Sequence, residues 1–290
     1  MTLEELDAAG FIAAPGENEA SFRARAGQMR RKCAELAGKP EDGIEMSRIV
    51  EFNVGEIEPI NRSALDDAAG LTEPLFGFRA DWVPAFFPRK GLGLLWGGCT
   101  VETEDGVPVF FLRRSFRNRR KWFIYGRAEL LAHELCHAVR GCLKDEPYEE
   151  HFAYMTSSSA FRRWTGNCFR HDWDAIAFTV PVFLLLIMQL IVFTGVAQFP
   201  LWPFWILAFV FPAFLLGRNI PERRTYFRAR HKLSGIGFEK AEAALFRMTS
   251  PEIRKIASMD EADLKKWVAG NAEKELRWRM ITARFQTSKE

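Results

Sequence analysis

Charged residues vanish from the chain between Ala175 and Gly217, 43 positions without an Asp, Glu, Lys or Arg. A hydrocarbon core of about 30 Å takes about 20 apolar residues per helical pass. The run therefore divides into two predicted spans, "AIAFTVPVFLLLIMQLIVFTG" at 175–195 and "FPLWPFWILAFVFPAFLLG" at 199–217, joined by the uncharged Val196-Ala197-Gln198. Pro181, Pro203 and Pro212 would kink a soluble helix but are tolerated in lipid, where neighbours re-satisfy the freed carbonyls. Trp202 and Trp205 suit a membrane interface.

On both sides of this run the pattern changes. "ASFRARAGQMRRKCAELAG" spaces Phe22, Met29, Cys33 and Leu36 along one helical face and closes at Gly38-Lys39-Pro40, so residues 1–45 read as a helical segment. From Arg48 to Arg89 prolines and aromatics predict loops and short strands. "GLLWGGCTVET" and "VPVFFLRRSF" flank Glu104-Asp105-Gly106, a strong hairpin signal, and "KWFIYG" is a candidate third strand. "AELLAHELCHAVRG" (128–141) follows as a helix with Gly141 placed as a C′ glycine. Asp145-Glu146-Pro147 starts a second helix, "YEEHFAYMTSSSAFRRW", with a capping acid before proline. Beyond the spans, "GFEKAEAALFRM", "SPEIRKIAS" and "DEADLKKWVAGNAEKELRWRM" have helical apolar spacing.

Charge adds an orientation. Arg162, Arg163 and Arg170 precede the spans, Arg218, Arg223, Arg224, Arg228, Arg230 and Lys232 follow them, and the joint has no cation. By the positive-inside rule both termini face the cytoplasm. The net charge of +3 over 290 residues does not suggest a general nucleic-acid binder. Five scattered cysteines without a CxxC pair indicate neither a zinc knuckle nor a disulfide framework; Cys136 and Cys142 read as buried, inert thiols. The acidic start "MTLEELDAAGFIAAPGENE" is unlike a signal peptide.

Two of the five histidines, His133 and His137, stand four positions apart with Glu134 directly after the first. On a helix this spacing aims both imidazoles at one ion. Neutral imidazoles leave Zn²⁺ positive enough to acidify a bound water, and Glu134 is placed to take its proton. The second helix returns at once with Glu146, Glu149, Glu150 and His151, any of whose carboxylates could supply a third ligand.

The stretch 128–154 resembles the gluzincin zinc metallopeptidases, in which HExxH is followed by a helix bearing a glutamate ligand. Glu150-His151-Phe152-Ala153 matches the E-x-F-A form of their second motif, so the resemblance implies Glu150 as the ligand, with Glu149 or Glu146 as the alternatives. Tyr154 departs from the pattern, standing where several relatives carry an aspartate that orients the first histidine. The resemblance also implies a sheet whose edge strand binds extended substrate; "VPVFFL" is the candidate. Tyr154, His171, Arg140 and Tyr125 are candidate oxyanion stabilisers.

These readings predict an α+β protein: an N-terminal helical segment (1–45), a zincin-like catalytic domain with a small sheet (46–172), a transmembrane hairpin (173–218) and a basic helical tail (219–290). The expected activity is zinc-dependent hydrolysis of peptide bonds, with His133, His137 and Glu150 as metal ligands and Glu134 as general base. The alternative is a non-catalytic zinc-binding scaffold or sensor. Expected partners are the lipid bilayer and peptide or protein substrates, membrane proteins among them. The expected location is a membrane such as the bacterial inner membrane.

Overall fold

A computed structural model describes residues 1–38, 57–88, 97–103, 106–166, 168 and 172–287. The predicted helical stretch 39–45, the first strand's start at 93–96, the turn residues Glu104 and Asp105, and His171 lie outside the described residues. Within them the protein is α+β. Helices α1 (Leu3–Ala8) and α2 (Glu19–Gly38) come first. Strand β1 (Ile57–Pro59), helix α3 (Arg62–Phe76) and strands β2 (Ala85–Pro88), β3 (Gly98–Glu102) and β4 (Pro108–Leu112) follow. The chain then makes a separate two-stranded hairpin, β5 (Lys121–Trp122) and β6 (Tyr125–Gly126), and helices α4 (Arg127–Arg140), α5 (Glu146–Met155) and α6 (Ala160–Thr165). Two long helices, α7 (Asp172–Phe193) and α8 (Trp202–Gly235), precede α9 (Ala241–Phe246), α10 (Ser250–Ser258), α11 (Glu261–Lys274) and α12 (Leu276–Phe285).

The four-stranded sheet has the order β1-β2-β4-β3. β1 and β3 run antiparallel to their neighbours, while β2 and β4 are parallel. This order corrects the expected substrate strand. "VPVFFL" forms β4, which is buried at every position and paired on both sides; with no free backbone groups it cannot accept another strand. Among the described residues the edge strands are β1 and β3, and β3 is the one beside α4. Thr103 N donates to Val107 O and Arg113 N to Gly97 O, each at 2.9 Å. Those pairs fix the alternation, so the backbone groups of Gly98, Thr100 and Glu102 face outward. Gly98 is required there, because a Cβ would stand 2.8 Å from Phe111 O.

Several local expectations also differ from the structure. α3 was expected as loops and short strands; Asn61 caps it, its Oδ1 accepting from Ser63 N at 3.1 Å, and Ala64, Ala68, Thr72 and Phe76 make its buried stripe despite Pro74. "KWFIYG" pairs with itself as β5–β6 instead of extending the sheet. Gly141 is right-handed (φ −50°) and begins a 3₁₀ turn through Leu143, and the left-handed residue is Lys144 (φ 49°). Asp145 stands before α5 but does not cap it. Its Oδ2 instead accepts from Arg140 Nη2 at 3.0 Å and from Ser250 N and Oγ at 2.9 Å. α5 ends at Met155, and a turn separates it from α6.

One apolar core runs through α3, α4, α5, α8 and α9. Phe76, Phe78 and Phe246 stack, and Phe152 meets Phe76 and Phe246 edge-on. The ends of the chain meet at Asp7, whose carboxylate accepts from Arg247 at 2.8 and 2.9 Å and from Arg284. The buried charges are thus paired, as burial demands.

Among the described residues, α7 and α8 are the two helices long and apolar enough to cross a membrane by length and composition. Only 6% and 17% of their most apolar windows are buried within the chain, and Phe183, Leu186, Leu190, Phe209 and Phe214 are exposed. A core helix of a soluble protein would bury such side chains. Arg218 ties the two helices together, pairing with Asp174 on α7. α8 continues past Gly217 through Pro221 into the folded body, where Tyr226, Ala229 and Leu233 are buried.

Candidate metal centre

The site is assembled by three elements. α4 packs against α3 and against the free edge of β3, which its Leu130 approaches so closely that a Cβ on Gly97 would stand 3.0 Å from Leu130 Cδ2. Leu131, Ala132, Leu135 and Val139 are buried. The opposite stripe carries Glu129, His133 and His137, a spacing of four that keeps them in line. α5 then lays Glu149 and Glu150 against that stripe. α5 itself is seated on α8: Tyr148 Oη donates to Glu222 O at 3.3 Å, and Tyr226 packs edge-on against His151 and Phe152.

His133, His137 and Glu150 form a cluster able to hold a metal ion, with one ligand atom from each lying within 4.8 Å of the others. His133 Nε2 and His137 Nε2 are 3.2 Å apart, and the Glu150 oxygens stand 3.6 Å and 3.4 Å from them. Zinc–ligand bonds of about 2.0–2.1 Å at a tetrahedral angle place ligand atoms roughly 3.3 Å apart. The triangle matches that spacing. With both rings neutral and their Nε2 atoms unprotonated, two nitrogen lone pairs and a carboxylate face one point, and a cation would satisfy all three.

The outer side of each histidine is fixed as well. His137 Nδ1 meets Glu149 Oε1 at 2.8 Å, so Glu149 is outside the triangle, oriented to hold the ring. The His133 imidazole is hydrogen-bonded to the Ala153 backbone, and the Tyr154 ring packs edge-on against it at 4.7 Å. The backbone thus does for His133 what an aspartate does in the resembled pattern. Of the side chain of Glu146 nothing is described.

The electrostatics follow from burial. Burial, with His137 and Arg162 nearby, holds His133 down at about 3, so its imidazole is neutral at physiological pH. Burial acts the same way on His137, but the Glu149 hydrogen bond and the charges of Glu150 and Glu134 outweigh it and raise its pKa. Glu150 is raised by burial, against the pull of His137. Glu134 is also raised by burial, moderated by Thr100, whose hydroxyl and backbone amide both donate to its carboxylate. Cys99 is pushed up to about 11 by burial and the Glu134 charge, and burial raises Cys136 further; neither thiol is ionised near neutrality.

Beside His133 and Glu134 opens a cleft of about 240 Å³. Tyr125, Tyr154, Glu129 and Arg162 line it, with Gly97 and Gly98 from the β3 edge. Glu129 pairs with Arg162 at 3.2 Å and accepts from Ser157 and Ser158. No protein-family model, no curated protein and no solved structure matches this chain. The cleft is therefore interpreted from its own residues.

Of the candidate oxyanion groups, Tyr125 and Tyr154 are in this cleft. Arg140 is not available: it is buried, bonded to Phe246 O and Asp145, with its guanidinium 4.6 Å over the Phe152 ring. The sequence reading missed Thr100, Glu129 and the place of Arg162. Glu129 carried a signal, four residues before His133 on the same face. Arg162 had been counted only as a flanking cation, and Thr100 is brought in by sheet pairing that no local pattern encodes.

Proposed function

We propose that the protein is a membrane-anchored zinc metallopeptidase whose site faces the cytoplasm. The observation that carries this reading is the convergence of His133, His137 and Glu150, with Glu134 alongside, next to a free strand edge. In this reading α7 and α8 form the transmembrane hairpin, and the cations after Gly217 set its orientation. Bound zinc would supply a Lewis acid that acidifies a water and polarises the scissile carbonyl. Glu134, with its carboxyl pKa raised by burial, accepts the water's proton and delivers it to the leaving amine. Thr100 holds that carboxylate in place through two hydrogen bonds. Tyr154, kept protonated with a pKa pushed up to about 12 by burial, is an O–H donor for the developing oxyanion. An extended substrate pairs with β3 at the Gly97–Gly98 end, since Glu134 already takes the Thr100 amide. Substrates that are membrane proteins or their cytosolic segments fit the anchoring.

The test is metal content by elemental mass spectrometry on detergent-purified protein, wild type beside Glu150→Ala and Glu134→Gln, together with cleavage of a fluorogenic peptide library. The expected result is near-stoichiometric zinc in wild type and Glu134→Gln, little in Glu150→Ala, and cleavage by wild type alone. Low metal in every sample after zinc incubation refutes the metal centre. Bound zinc without cleavage by any sample refutes the peptidase reading and leaves a zinc-dependent scaffold.

A further inference from the structure

Two projections beside the cleft expose apolar side chains that the folding core does not use. The β5–β6 turn presents Phe123 and Ile124, 84% and 59% exposed. Phe123 sits at φ 52°, a conformation where glycine or asparagine would be cheaper, so a phenylalanine there has folding working against it. Helix α6 presents Phe161, 74% exposed, and Trp164. The two projections form one surface, because Arg162 Nη1 donates to Ile124 O at 2.9 Å.

The height of this surface relative to the long helices is set by α8. Arg218, paired with Asp174, marks the end of the uncharged run. Five residues on, about 7.5 Å along the axis, Arg223 Nη1 holds the carbonyls of Arg163 and Trp164 at 2.9 and 3.4 Å. The headgroup layer on each side of a bilayer is roughly 5–7 Å deep. α6 is therefore attached at the outer boundary of the headgroup layer, and exposed Trp173 at the start of α7 is close to it in sequence. Arg119, Arg120, Lys121 and Arg163 are exposed beside the apolar groups. Aromatic and aliphatic side chains rimmed by cations are the composition of an interfacial anchor on an anionic leaflet.

We propose that the β5–β6 turn and α6 make a second, interfacial contact with the bilayer, inserting Phe123, Ile124, Phe161 and Trp164 at the acyl boundary with Arg119, Arg120 and Lys121 on anionic headgroups. The proposal rests on the reading of α7 and α8 as spans. It has a consequence for the cleft. Tyr125 directly follows the turn, and Arg162 lies between Phe161 and Trp164; both line the cleft. The contact seats the cleft mouth on the lipid surface, where it receives chain segments as they leave the membrane.

The test places a nitroxide at Phe123→Cys, Phe161→Cys, Leu186→Cys within α7 and Lys266→Cys on α11 of the full chain, in phosphatidylglycerol-containing nanodiscs. Unaltered protein taken through the same labelling serves as the blank. Collision rates with oxygen and with a water-soluble nickel chelate report depth. The ratio of the two at 123 and 161 should be several-fold above that at 266 and approach that at 186, and Ile124→Cys should repeat the result from the neighbouring position. Water-like ratios at 123, 124 and 161 beside a lipid-like 186 overturn the contact and leave the spans standing. Shielding from both reagents at 123 and 161 means a protein covers the patch, which also overturns it. A water-like 186 overturns the spans and the contact with them.

Discussion

Removing the Glu149 carboxylate should weaken zinc binding without removing a ligand. His137 Nδ1 and Glu149 Oε1 are 2.8 Å apart, with the two side chains 20% and 23% exposed. A hydrogen bond to a charged group contributes about 1.5–3 kcal/mol and a neutral one about 0.5–1.5 kcal/mol. Glu149→Gln retains a neutral acceptor, so its loss is about 1–1.5 kcal/mol, a roughly tenfold weaker affinity. Glu149→Ala loses the whole bond and should approach 100-fold, the upper end for partners of metal-bound histidines. The effect has a pH signature. Glu149 raises the pKa of His137, so in wild type a proton competes with the metal at mildly acidic pH. Without Glu149 that competition weakens. The gap between wild type and variant should therefore be widest near pH 8 and narrow toward pH 6. Competition against a fluorescent chelator of known affinity, on apo protein in detergent, measures all of this. A Glu149→Ala affinity within twofold of wild type, in a preparation where Glu150→Ala loses zinc, would mean packing alone orients His137.

Two further outcomes follow from contacts outside the ligand set. Thr100→Val removes one hydroxyl hydrogen bond to Glu134 but keeps the backbone one; zinc content should hold while kcat falls about tenfold with little change in KM, and an unchanged kcat would exclude a positioning role. Glu252 accepts from Arg277 twice at 2.8 Å and from Trp278 at 2.7 Å. Burial alone would raise its pKa, but the Arg277 bonds hold it below the ordinary carboxylate value. Its contribution is therefore present above about pH 4.3 and lost as pH falls through the lower folded value. Glu252→Gln should cost about 3–5 kcal/mol, and its melting temperature should change less than that of wild type across that acid interval; parallel curves would exclude the linkage.

The parts of this protein legible in its sequence are those whose physics is local. HExxH carries its geometry in a spacing of four, and Glu150 follows soon after on the next helix. The apolar run announces itself by length. What could not be read depends on partners far along the chain. The stripe of α3 is broken by Gly70 and Pro74 and becomes a helix because Phe76 stacks on Phe246, 170 positions later. Asp145 has the sequence position of a helix cap, yet Arg140 and Ser250 take its carboxylate. Strand order decided which strand is free, and alternation within "VPVFFL" holds no information about its neighbours. At the site the same division holds: Glu129 could have been found by periodicity, whereas Thr100 enters only through the pairing of β3 with β4.

The length of α8 determines how the site and its tether move together. Its 34 residues make a rod of about 51 Å. The first half is the apolar segment, and the second half is built into the core, with Tyr226 against the helix that carries Glu150. In the proposed reading the span enters the folded body as one continuous helix, with Pro221 just past the junction. Under that reading, a helix with no loop in it limits how far the body's height above the membrane and the bearing of the cleft can vary. A body on a flexible leash would search a hemisphere; one carried on such a helix would sweep a disc as the whole protein rotates in the plane of the lipid. For the proposed peptidase, substrate choice would then include a rule of altitude, because a cleavable segment would have to present itself at the height the helix allows.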